Sequence, residues 1–389
     1  MSCKLGDCIR ITHGFAFKGE YITAENNGVV LVTPGNFEIG GGFKEDKCKY
    51  FNGSYPKEYV LSPYDLIVTM TDLSKQGDTL GYSALVPKSN RIYLHNQRIG
   101  LIDVYNPKAD KMFIYWLMRT RKYQKTIVAT SSGSTVKHTS PSRIYDVEVD
   151  LPSIDVQKKI AAILSALDEK IATNRAINDN LQQQAAALFS SLYDRTNTEV
   201  RFTDLIQILG GGTPKTGENI YWNGNIAFFT PKDVGTPYTL ITEKTITEEG
   251  LSHCNSRLYP VNTVFVTARG TVGKVGMSGI PMAMNQSCYA LVGKETHQLL
   301  VYFYTLKAVD RLKHKASGAV FDAITTRDFE SEQIMKLSDD DAKSFLCIVE
   351  PMFQKILNNS IENLRLSTLR DSLLPKLMSG EIDVSAVQL

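Results

Sequence analysis

Cys3, Cys8 and His13 are the closest approach to a metal-ligand set in the chain, but they surround an alternating, strand-like stretch with no obvious fourth ligand. No metal site is expected there. Cys48, Cys254, Cys288 and Cys347 stand apart, with no Cys-x-x-Cys pair and no paired histidine spacing, which argues against a disulfide framework or a closed zinc site. The stretch GTVGKVG from Gly270 to Gly276 resembles a phosphate loop, yet Ala268 stands where that pattern needs Gly and Val275 where it needs Ser or Thr. No G-x-G-x-x-G opens a helix after a strand, and neither H-E-x-x-H nor G-x-S-x-G occurs. His13, His95, His138, His253, His297 and His314 are isolated. No catalytic constellation survives, and no nucleotide site is expected.

What the spacing does offer is loops of small residues, amides and basic groups. One joins Gly210 and Gly211 to Gly212, Thr213, Pro214 and Lys215; another holds Arg269, Gly270, Thr271, Gly273 and Lys274. Earlier in the chain, Thr69, Thr71, Ser74, Lys75, Gln76 and Gly77 form a comparable set. Asn285-Gln286 and the run Asn96, Gln97, Arg98 add amide side chains. Backbone amides, Thr and Lys can hold phosphates, while Arg, Asn and Gln can read base edges in the major groove. Taken singly, each loop is equally an ordinary turn.

The elements that must position these loops occur twice, about 190 residues apart. LGDCIRITHGFAFKGE from Leu5 lies over FTDLIQILGGGTPKTGE from Phe202, matching Asp7 with Asp204, Ile9 with Ile206, Ile11 with Ile208, Gly14 with Gly211 and Lys18 with Lys215. Both open as a short alternating strand ending in a Gly-containing turn. DLIVTMTD from Asp65 and NTVFVTARG from Asn262 each read as a buried strand leaving into a polar loop, and the Asn-Gln pair precedes a further strand in both copies. Aromatic and basic helical stretches follow, FIYWLMRTRKYQK from Phe113 and VYFYTLKAVDRLKHK from Val301, with Ser132-Gly133 and Ser317-Gly318 as stop signals. Their Arg119, Arg121, Lys122, Lys125, Lys307, Arg311, Lys313, His314 and Lys315 are candidates for phosphate contacts.

The end of each copy is a coiled-coil seam. Ile160, Leu164, Leu167, Ile171, Asn174, Asn178, Leu181, Ala185, Leu188 and Leu192 step by alternating fours and threes. The second copy supplies Phe345, Val349, Met352, Ile356, Asn359, Asn363, Leu366, Arg370, Leu373 and Leu377 in the same order. Two asparagines at matching seam positions weaken association but fix register. Pro351 predicts a kink or a helix start, and Asp339, Asp340 and Asp341 suit the positive end of a helix beginning just after them. A helix from Asp155 to Tyr193 would be about 58 Å long. That is too long for one small domain to cover, and an antiparallel pair of the two helices, holding globular units apart, is the simplest closed arrangement.

The chain has 389 residues, 43% hydrophobic and 22% charged, which predicts two or more domains and excludes disorder. Lys+Arg 43 against Asp+Glu 41 leaves a formal +2, so any nucleic-acid surface must come from local clustering. Met1 to Arg10 carries no apolar run behind a basic start, and nowhere do about 18 apolar residues run together. A cytoplasmic protein with reduced thiols and no membrane partner is expected.

GGTPKTGENIYWNGNIAFFTPKDV from Gly211, ARGTVGKVG from Ala268, MNQSCYALV from Met284, LPSIDVQKKIAAILSALDEKI from Leu151 and LRDSLLPKLMSGEI from Leu369 together resemble the DNA specificity subunit of type I restriction-modification systems. The resemblance spans essentially the whole chain. It implies a non-catalytic subunit whose two target-recognition domains each read half of a split sequence in double-stranded DNA. The helices would set the gap and dock two methyltransferase (modification) subunits. S-adenosylmethionine, ATP and Mg would belong to those partners and to restriction subunits, with no cofactor in this chain. Carried over to this sequence, the Gly-Thr-Pro loop falls on Gly212, Thr213 and Pro214, the strand-end loop on Arg269 to Lys274, and the amide pair on Asn285 and Gln286. The first copy departs from the pattern, with His13-Gly14-Phe15 at its first loop. The second helical segment has Leu337, Ser338 and Lys343 where the first has Leu151, Pro152 and Gln157.

The expected fold is α+β, with two globular α/β domains, two long antiparallel helices forming a coiled coil, and an internal pseudo-twofold repeat. The boundaries are 1–150 and 197–338 for the recognition domains, with 151–196 and 339–389 for the helical spacers. A coiled-coil decoy that captures modification subunits without reading DNA is the alternative. A single-chain methyltransferase would need an Asn/Asp-Pro-Pro-Tyr loop and a Gly-rich cofactor loop, and the sequence has neither.

Overall fold

The computed structural model describes residues 2–46, 48–235, 237–315 and 323–387. The stop signal at Ser317-Gly318 lies outside the described residues. The chain divides into two compact units, Met1–Glu169 with Leu366–Leu389, and Lys170–Arg365. Among the described residues, no helix is long and apolar enough to cross a membrane.

In the first unit the frame strands are β1 (Ile9–His13), β2 (Val29–Val32), β3 (Leu66–Thr69), β4 (Ser83–Leu85), β5 (Ile92–His95) and β6 (Ile99–Val104). One sheet runs β1-β6-β3-β4, all antiparallel, and a second sets β2 parallel to β5. β3 is buried at every position because its alternating side chains enter two cores. Leu66 and Val68 join Phe113, Ile114 and Trp116, whereas Ile67 joins Val30, Tyr93 and Ile99. The helical stretch from Phe113 breaks into α1 (Lys111–Leu117) and α2 (Arg121–Ala129), because two residues compete as caps. Asp110 accepts from the Phe113 N–H at 2.9 Å and Thr120 from the Tyr123 N–H at 3.3 Å. A long helix, α3 (Ile154–Tyr193), follows. Near its start the fully buried Gln157 accepts from Asp110 N–H at 2.9 Å and donates to the carbonyls of Lys108 and Pro152, tying α3 to the loop before α1.

The second unit repeats the plan with β7 (Ile206–Gly210), β8 (Trp222–Phe229), β9 (Val264–Thr267), β10 (Val275–Ser278), β11 (Met282–Met284) and β12 (Cys288–Gly293). Its main sheet runs β7-β12-β9-β10, and β8 lies parallel to β11. β9 divides as β3 does: Val264 and Val266 face the core around α4 (Gln298–Lys315), and Phe265 faces Phe229, Met282 and Met284.

The final helix, α5 (Asp339–Ser379), begins at the three aspartates, and Pro351 lies inside it rather than at its start. Pro351 leaves the carbonyl four residues back, on the exposed Cys347, without its helical N–H, where water can serve it. Within the first unit, Ile160 and Leu164 of α3 share a core with Leu374 and Leu377 of α5, with Leu373 packed against it, and Leu167 is half-buried. Leu366, the first residue of α5 in the first unit, is half-buried. Within the second, Leu181 and Leu188 pack against the core of Phe345, Val349 and Ile356, beside Met352, and Ile171 is buried. The asparagines meet there. Asn174 Nδ2 donates to Asn363 Oδ1 at 3.0 Å, and Asn359 Nδ2 to Asn178 Oδ1 at 2.8 Å, so partners run in opposite order along the two helices.

Several basic residues expected to meet phosphate are instead engaged internally. Arg119 is buried, ion-paired to Asp168 at 2.7 Å and stacked 4.3 Å from the Trp116 ring centroid. Arg311 and Lys315 hold the fully buried Glu332 at 2.8 and 2.6 Å. Each pairing supplies a counter-ion to a charge held in the interior, Arg119 itself in the first case and Glu332 in the second, while the Arg311 and Lys315 side chains stay 42% and 55% exposed. Arg121, Lys122, Lys125 and Lys313 remain exposed.

Candidate nucleic-acid interface

Three predicted segments of the second unit converge. Gly211 approaches the end of β11 so closely that a Cβ there would lie 2.4 Å from the Met284 carbonyl oxygen and 2.2 Å from that of Asn285. Only glycine allows this approach. Gly212 N–H donates to the Met284 carbonyl at 3.0 Å, and the Thr213 hydroxyl donates to Gln286 Oε1. The Gly-Thr-Pro loop is thereby fastened to the Asn-Gln turn. Gly212 and Pro214 are buried and shape the loop, leaving Lys215 and Gln286 exposed.

The third segment is the hairpin after β9, organised by Thr267. Its hydroxyl donates to the Thr271 carbonyl and accepts from the Lys274 N–H at 2.9 Å, while Gly273 N–H donates to the Thr267 carbonyl at 2.8 Å. Gly270 and Gly273 take positive φ values of 83° and 74°, as so tight a loop requires. Ala268 and Arg269 N–H groups both donate to the Ser287 carbonyl, at 2.8 and 3.2 Å, which joins hairpin to turn. Arg269, Thr271 and Lys274 point into solvent.

Beside them lies a cleft of about 430 Å³ lined by Arg269, Gly270, Thr271 and Asn285 together with Thr230, Lys232, Glu243 and Lys244. Lys232 pairs with Glu243 at 3.4 Å, and Lys244 Nζ sits 5.5 Å from the centre of the Trp222 ring. Sequence reasoning missed Lys232 and Lys244 because they reach Arg269 only through non-local strand packing. The signal available was Thr-Pro-Lys-Asp at the end of β8.

The first unit has the same frame with different contents. A Cβ at Gly14 would lie 2.3 Å from the His95 carbonyl oxygen and 2.4 Å from that of Asn96, matching Gly211. Asn96 Oδ1 accepts from the Arg98 N–H at 3.1 Å, as Asn285 Oδ1 accepts from the Ser287 N–H at 3.0 Å, so each asparagine fixes its turn and leaves the next glutamine exposed. Met70 N–H donates to the Arg98 carbonyl, the counterpart of Ala268 and Ser287. The following loop differs. Thr69 and Thr71 are buried; the Thr69 hydroxyl donates to the Thr71 carbonyl at 2.9 Å, and that of Thr71 meets His138 Nδ1 at 3.2 Å. They set the loop's shape, and Lys75 and Gln76 are its exposed polar side chains, with Ser74 half-buried. Cys3 Sγ lies 3.8 Å from Cys8 Sγ; burial, then the Cys3 neighbour, pushes the Cys8 thiol up to about 12, so it stays protonated. His13 is at the far end of β1.

Residues 1–183 and 195–339 match the family model described as type I restriction modification DNA specificity domain. The chain is 24% identical to the type I restriction enzyme HindI specificity subunit of Haemophilus influenzae, covering 79% of this chain and 87% of that one. It is 23% identical to the MjaIX specificity subunit of Methanocaldococcus jannaschii, over 70% and 69%. In fold it is similar to the crystal structure of a type I restriction-modification S subunit from M. genitalium, with a TM-score of 0.62 at 16% identity, covering 97% and 96% of the two chains. With the frame built twice and the family model covering most of the sequence, this chain belongs to the type I restriction-modification DNA specificity family.

Proposed function

We propose that the chain is the sequence-reading subunit of a type I restriction-modification complex, each unit reading one half of a split target in double-stranded DNA. The observation that carries this reading is the doubled frame. In both units an exposed glutamine follows a turn-fixing asparagine, and a glycine-only approach presses the neighbouring loop against that turn. Around the second copy, Lys232, Lys244, Arg269 and Lys274 supply cations suited to phosphate oxygens on either side of a groove. The chain itself is non-catalytic in this reading. Two methyltransferase subunits would dock on the helices, S-adenosylmethionine would bind those subunits, and ATP and Mg would serve the restriction subunits. The complex would work in the cytoplasm, and the boundaries near 150, 196 and 338 would separate reading from spacing.

The test is co-expression with its modification subunit in a methylation-free host, followed by sequencing that detects modified adenine. One split motif with a fixed gap is the expected outcome. An assembled complex that leaves no motif would favour the decoy reading. Arg269→Ala and Lys274→Ala should each weaken binding of the complex to target DNA and lower the salt-dependence slope by about 1. Unchanged affinity for both at moderate salt would remove that hairpin from the interface.

A further inference from the structure

Gln286 stands out among the exposed groups of the second unit because its amide is held rather than free. An exposed glutamine samples many rotamers and can present either end of its amide, so on its own it discriminates poorly between bases. Here the backbone beneath it is fixed three ways: Asn285 N–H donates to the Phe229 carbonyl at 3.0 Å, Ser287 N–H to Asn285 Oδ1 at 3.0 Å, and Ala268 N–H to the Ser287 carbonyl at 2.8 Å. The amide is fixed from the side, where the Thr213 hydroxyl donates to Oε1. Thr213 is placed by Gly211, which lies against the Met284 and Asn285 carbonyls, and by Gly212, which packs on the Asn255 backbone and donates its N–H to the Met284 carbonyl.

With one lone pair of Oε1 taken by Thr213, the amide retains an acceptor and two N–H donors. Adenine presents a matching pair in the major groove, the N6 amino donor and the N7 acceptor. Guanine presents two acceptors, N7 and O6, and one would face Oε1 without a hydrogen between them. Cytosine offers its N4 donor but no partner for the glutamine N–H. We propose, as a refinement resting on the DNA-reading function above, that Gln286 reads an adenine in the half-site of the second unit and that Thr213 is the positioning residue that holds its amide in place beside the turn.

The first unit supplies an internal contrast. Gln97 sits on the same turn, its N–H donating to the Phe15 carbonyl at 3.0 Å, but the loop pressed against it continues Phe15-Ala16-Phe17, and the two phenyl rings pack 5.1 Å apart. Ala16, matching Thr213, has no hydroxyl. Gln97 therefore lacks this lock, and its base preference is set otherwise.

The experiment uses the assembled complex and a duplex library randomised across the target, with the first half-site as the internal control for folding. Gln286→Glu should change one position of the second half-site from adenine to cytosine, because a carboxylate accepts from N4 and cannot donate to N7. Thr213→Val should reduce discrimination for adenine at that position about 10-fold, with the salt slope unchanged, and Thr213→Ser should restore it. A loop that merely lost its shape would instead change several positions together and would not be rescued by serine. If Gln286→Glu abolishes binding to the original target, recovery on the cytosine-substituted duplex still supports the assignment, and failure to recover overturns it. A wild-type motif retained by both Gln286→Ala and Thr213→Val overturns the assignment while leaving DNA reading intact. A wild-type complex without any motif overturns both.

Discussion

Asp72 shows how one buried carboxylate shapes the loop after β3. It accepts from the Ser74 N–H at 2.6 Å and from the Thr79 hydroxyl at 2.7 Å, closing the segment between them. Burial alone would raise its pKa, but the bonds from Ser74 and Thr79 outweigh it and hold the carboxyl below its ordinary value. The contribution to stability is therefore complete above the unfolded carboxylate range and is lost as pH falls through the lowered folded value. Asp72→Ala should expose the loop, raising amide hydrogen exchange of residues 74 to 79 at neutral pH while the difference from wild type shrinks in acid. A loss of about 1–3 kcal/mol in local protection is expected. Residue type was legible in the sequence here, but not direction. Thr69 and Thr71 have the chemistry of phosphate ligands, yet β3 is covered on both faces and the strand at Thr71 is paired with Lys137–His138, so both lie inside. Only the pairing of strands distant in sequence decides which threonines face water.

At the scale of elements, the helices were readable and the short strands were not. The seam repeats over many turns, so its period survives local exceptions, whereas Tyr238–Thr239 or Val60–Leu61 is too short to carry a period. One exception in the seam proves structural: Arg370 stands where the first copy has Ala185, and it binds Asp168 at 2.6 Å while Asp168 also holds Arg119. Asp168→Ala would leave Arg119, whose side chain is 5% exposed, without its counter-ion. The expected cost is about 3–5 kcal/mol, read as a lower denaturation midpoint. An equal midpoint would mean that stacking on Trp116 and Tyr115 suffices to hold the guanidinium.

For the molecule as a whole, a formal charge of +2 means that its attraction to DNA is local rather than general. If each neutralises one phosphate, as the proposed function has it, the four cations around the second unit's cleft and hairpin would contribute about −4 to the salt slope, to which the exposed Lys215 and Lys313 would add. Lys232→Ala with Lys244→Ala should flatten the slope by about 2 without changing the motif; a changed motif would make either lysine a base reader. The doubled order of elements was evident from sequence because repeated phrases keep their order even where loops diverge. The clustering of Lys232 and Lys244 with Arg269 was not, since it depends on which strands lie side by side.

The two asparagine bonds form a reciprocal pair. Asn174 matches Asn359 in the repeat and Asn178 matches Asn363, so the bond from Asn174 to Asn363 and the bond from Asn359 to Asn178 are the same bond made once by each copy. A polypeptide of half the length, bearing one such helix, could make both bonds with an identical twin. Self-complementarity of this kind gives each copy the donor of one bond and the acceptor of the other, so removing the amide of Asn174 or of Asn359 takes away one of the two bonds and leaves its counterpart.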